Sequence, residues 1–106
     1  MSITIEVEKF TETEKVIIPT PFYYKHDLMI EECDSIIYGK IMDDCVISVQ
    51  KTDHYLNHEI TFEFEVEERP RFQGYNAYMV DEEYKSSKEE YEAAIAEMKQ
   101  FIEDRA

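Results

Sequence analysis

A chain of 106 residues can build one modest core, and its 43% apolar content, with eight Tyr and six Phe, supplies the side chains for it, which excludes a disordered polyelectrolyte. Twenty-five Asp and Glu against eleven Lys and Arg give a formal net charge of −14, which disfavours nucleic acid and anionic membrane and makes a basic surface the natural charged partner. No stretch approaches the length of a membrane span and Met1-Ser2-Ile3-Thr4 lacks a basic, apolar leader, so a cytoplasmic protein folded as a single domain over 1–106 is expected.

Ile3, Ile5 and Val7 alternate with Thr4, Glu6 and Glu8, the period of a strand with one wet face. The polar stretch 11–14 turns the chain into a hairpin partner, Lys15-Val16-Ile17-Ile18, which Pro19-Thr20-Pro21 interrupts because proline has no N–H for a ladder. Residues 22–30, from Phe22-Tyr23-Tyr24 to Leu28-Met29-Ile30, show no helical stripe and read as extended with a break near His26-Asp27. The β-branched runs 35–41 and 45–50 flank Met42-Asp43-Asp44 and predict a tight antiparallel hairpin. Residues 51–58 read as a polar loop with at most one helical turn. In 59–67, Ile60, Phe62, Phe64 and Val66 alternate with Thr61, Glu63, Glu65 and Glu67, which predicts a strand with an apolar and an acidic face.

Arg69-Pro70-Arg71 closes that strand, and an aromatic connection with Phe72, Tyr75, Tyr78, Met79 and Tyr84 follows, read as a loop with a short helical piece. Ser87 three residues before Glu90 has the spacing of a capping box, in which side chains satisfy the free backbone donors of a helix start. Tyr91, Ala94, Ile95, Met98 and Ile102 then recur at three- and four-residue steps and define the buried face of a helix. The fold class implied is α+β, a mainly antiparallel β-sheet with the C-terminal helix packed on one face.

Residues that usually carry chemistry are scarce or badly placed. Gly39 and Gly74 are the two glycines, and neither opens a phosphate-binding turn; no serine has a nucleophile-elbow setting. Cys33 and Cys45 have no basic or helix-start neighbour to activate them and, without an export signal, are expected as reduced thiols. His54 and His58 could join the two cysteines in a zinc site only if the fold collected all four, and the spacing matches no short ligand pair. His26 and Asp27 are adjacent on an extended segment and should face opposite ways. No cofactor, no metal and no enzymatic activity are expected.

Two features point to binding. Glu63, Glu65 and Glu67 repeat at roughly 6.6 Å along a strand, a step comparable to that between successive phosphates of a nucleic-acid strand, and could offer a basic groove a row of anions. Tyr75 and Tyr78 lie in the aromatic connection 72–84 and are the residue type that anchors protein interfaces. The functional expectation is a small acidic binding or inhibitor protein that occupies a basic protein surface, in the way nucleic-acid mimics of phage counter-defence block a nuclease or a restriction- or CRISPR-type effector. That likeness is one of size and composition. The alternatives are an accessory interaction domain using the Tyr-rich connection, or a small ligand-binding domain, and self-association into a homo-oligomer is left open.

Overall fold

A computed structural model describes residues 2–9, 12–68, 75–76 and 82–105. Strand β1 (Ser2–Lys9) pairs antiparallel with β2 (Glu12–Pro19), setting Ile3 opposite Ile18 and Ile5 opposite Val16 on one side, while Ile17 pairs with Thr4 on the other and is exposed. A two-residue strand, β7 (Tyr75–Asn76), adds to β1 in parallel and completes a small sheet of order β2-β1-β7. The aromatic connection thus contains a strand that its sequence does not suggest. A 3-10 turn at Glu82–Tyr84 supplies the expected short helical piece.

The larger sheet is an antiparallel meander of β3 (Phe22–Ile30), β4 (Cys33–Ile41), β5 (Cys45–His54) and β6 (Glu59–Glu68), in that order. Two segments differ from the sequence reading. No break occurs at His26-Asp27, because β3 pairs with β4 over all nine of its residues. The expected loop 51–58 is strand as far as His54, and the turn is confined to 55–58, because Lys51, Thr52, Asp53 and His54 are held between partners on both β4 and β6. Polar composition gives way here to ladder hydrogen bonding on two sides.

Helix α1 (Lys88–Arg105) starts where the capping box places it, with the Glu90 N–H donating to the Ser87 hydroxyl at 3.2 Å. It lies on one face of the large sheet, where Val49, Ala94 and Met98 form a core bordered by Tyr38, Phe62 and Ile95. The small sheet covers part of the opposite face, where Ile5, Val7 and Ile18 meet Phe22, Tyr24, Ile41 and Val46. The architecture is therefore layered: small sheet, large sheet, helix. Val46 and Val49, three apart on β5, point to opposite faces, and each is buried in the core on its own side of the large sheet. Full burial of Ile5, Val7, Ile41 and Val49 stabilises the fold by roughly 1.5–3 kcal/mol per side chain.

The helix face needs one correction. Ile102 is 58% exposed, and Phe101 makes the contact instead, its ring 5.0 Å from that of Phe62. The periodicity fits either residue, and the direction in which the helix crosses the sheet decides between them.

Candidate acidic partner-binding face

Strand register gathers the lysines of the large sheet on one face. Residues paired across neighbouring strands share a face, so the rows Tyr23–Lys40–Ile47, Lys25–Tyr38–Val49 and Ile36–Lys51–Phe62 all point toward the helix. The three lysines of β3, β4 and β5 consequently lie on that face. There Lys51 bonds the Glu97 carboxylate at 2.5 Å, Lys25 lies 3.6 Å from Glu90, and Lys40 stands over the rings of Tyr23 and Tyr91 at 5.9 Å.

The opposite face carries no Lys or Arg from these four strands. Its β6 row is Glu59, Thr61, Glu63, Glu65 and Glu67, standing beside His54, Thr52, Gln50, Ser48 and Val46 of β5. All four glutamates are exposed. Glu63 and Glu65 border a shallow polar groove of about 360 Å³ whose floor includes Ile37, Ser48 and Gln50. Ser48, Gln50 and Thr52 line the inner side of the carboxylate row. Glu59 belongs to the same row, and alternation identifies it as readily as the other three.

Tyr75 lies in β7, where its backbone pairs with Val7 of β1, and Tyr78 lies outside the described residues. Cys45 begins β5 and His54 ends it, a separation of about 30 Å along one strand, so Cys33, Cys45, His54 and His58 cannot share a metal ion. Among the described residues, no cluster of three or more His, Cys, Asp or Glu is arranged to hold one. Both cysteines are free thiols; desolvation, reinforced by the charge of Asp44 and a hydrogen bond to it, pushes the Cys45 thiol up and away from the reactive thiolate. His26 and Asp27 do face opposite ways, the imidazole meeting the Tyr84 ring edge-on at 5.2 Å.

A separate open groove of about 730 Å³ lies at the β3–β4 hairpin end, lined by Leu28, Ile30, Cys33 and Ser35 and reached by Tyr55, whose phenol is pushed up chiefly by its hydrogen bond to Asp34. Ser35 is buried there and already bonded, receiving a hydrogen bond from Gln50 at 2.7 Å and lying 3.1 Å from the Thr52 hydroxyl. Nothing in that arrangement activates a nucleophile.

No helix among the described residues is long and apolar enough to cross a membrane. No family model matches the chain, and no curated protein or solved structure is similar to it.

Proposed function

We propose that the chain is a small acidic binding protein, acting in the cytoplasm, whose β6 carboxylate row occupies a basic site on a protein partner. A nucleic-acid-processing enzyme, nuclease or restriction- or CRISPR-type effector, is the partner class that fits a strand presenting anions at roughly phosphate spacing. The observation that carries this reading is the separation of the β6 row from the sheet's lysines: Glu59, Glu63, Glu65 and Glu67 are exposed on a face to which the lysines of β3, β4 and β5 do not project, those lysines sharing the helix face with Asp27, Asp34, Asp53 and Glu68. A carboxylate row placed only for solubility would gain nothing from that separation, and a net charge of −14 exceeds the magnitude of about 2–8 that suffices to keep a small domain soluble.

The test is capture of host proteins across a salt series, followed by assay of the retained enzyme with purified chain. Binding and inhibition should weaken by about tenfold or more between low salt and a few hundred millimolar, because added ions screen the summed attraction between the acidic row and a basic surface. Replacing Glu63, Glu65 and Glu67 together by Lys should abolish inhibition, while Tyr75→Ala should leave it intact. Inhibition that survives the triple charge reversal, or is indifferent to salt, sinks the proposal.

A further inference from the structure

We infer that β6 is a docking edge that takes one extended segment of the partner as an additional antiparallel strand, and that this segment alternates basic with apolar residues. The inference rests on the reading of the acidic row as a binding surface and specifies the partner's local structure. β6 ends the strand order of the large sheet, and no described strand pairs with its outer side. Every second residue of an edge strand directs its N–H and C=O away from its one neighbour, so a ladder is available along the ten residues of Glu59–Glu68. The other edge is partly occupied. Tyr24 of β3 bridges to Lys85, and the Ser86 N–H donates to the Tyr23 carbonyl at 2.9 Å.

Side chains select the occupant. On the helix side of β6, Phe64 and Val66 are 51% and 54% exposed, because the helix crosses the sheet at Phe62 and leaves them half uncovered. On the other side stand Glu63, Glu65 and Glu67. An incoming strand that buries its apolar residues against Phe64 and Val66 necessarily presents its alternate residues to the glutamates, and only Lys or Arg makes those cross-strand pairs favourable. A long basic side chain can also reach over the row into the polar groove bordered by Ser48, Gln50, Glu63 and Glu65. A second copy of the chain does not satisfy the edge. Joining two β6 strands so that the apolar row continues sets glutamate against glutamate, between molecules that each carry −14.

The probe is a synthetic peptide as long as β6 in which Lys and Val alternate, compared with a peptide of the same composition whose lysines are grouped at one end. The alternating peptide should bind about tenfold more tightly, and on binding should slow amide hydrogen exchange at every second residue of β6 and not along β3. The variant carrying Glu63→Lys and Glu65→Lys changes only exposed side chains, and it should lose the Lys–Val peptide and gain an alternating Glu–Val peptide. Equal affinity for the two basic peptides, or protection away from β6, overturns the strand-addition inference while leaving a diffuse acidic lure in place. Failure of both peptides to bind at low salt overturns it as well, and the capture experiment then decides the broader reading on its own.

Discussion

Gly39 shows how tightly single positions are specified. It pairs with Tyr24 across β3 and β4, and the Tyr24 ring lies over it in the space a Cβ would need. The ring is 3% exposed and belongs to the core beneath the small sheet, so it cannot swing aside without disturbing Ile5, Ile41 and their neighbours. Gly39→Ala should therefore destabilise the fold by about 1–3 kcal/mol or more, measured by urea denaturation, and pairing it with Tyr24→Leu should recover part of that loss. A lone glycine in a β-branched run signals a close approach in general. Which ring makes the approach depends on a strand partner fifteen residues away.

Among the elements, α1 is the one whose start is explained by local chemistry. Ser87→Ala removes the hydroxyl that accepts the Glu90 N–H, and a cost of about 1 kcal/mol is expected in thermal or chemical denaturation. The Lys51–Glu97 pair is solvent-screened despite its short distance, and its removal should cost well under about 1 kcal/mol. Tyr91 supplies a pH signature for the seat of the helix. Burial, then the neighbouring Tyr23, pushes its phenol above the ordinary value, so the neutral form is the one that folds. Its contribution is fully present below the unfolded phenol pKa of about 10 and is lost as pH rises through the higher folded value. Tyr91→Phe should thus flatten the decline in stability above about pH 10 relative to the parent, as read from denaturation curves at matched salt.

Charge belongs to the molecule as a whole. Acidic residues outnumber basic ones in every stretch, from 1–18 to 86–106, so the folded state concentrates a repulsion that the expanded chain can dilute. Moderate salt should raise the melting temperature by a few degrees as the Debye length falls from about 30 Å at 0.01 M to about 8 Å at 0.15 M, whereas sucrose at equal osmolality should not reproduce the ionic part of that rise. The same salt should weaken any basic partner, so stability and affinity are expected to move in opposite directions along one titration. A merely solubilising charge predicts the first trend without the second.

Much of the fold was legible in the chain because short-range physics writes it there. Period-two alternation gave β1 and β6, β-branched runs around Met42-Asp43-Asp44 gave the β4–β5 hairpin, and Ser87 with Glu90 gave the helix start. Even the acidic row was visible, since alternation alone puts Glu63, Glu65 and Glu67 on one side. What the tertiary structure alone decided is relational. The turn at Glu31-Glu32, with Glu32 at φ 65°, carries no Gly or Asn to announce it, so the β3–β4 pairing and the strand character of 51–54 were hidden. Whether Phe101 or Ile102 seats the helix, whether Phe64 and Val66 are covered, and that Lys25, Lys40 and Lys51 all leave the acidic face depend on register and crossing direction. Those are set by packing between segments far apart in the chain, and one residue of slip in any strand would have sent its charges to the other side.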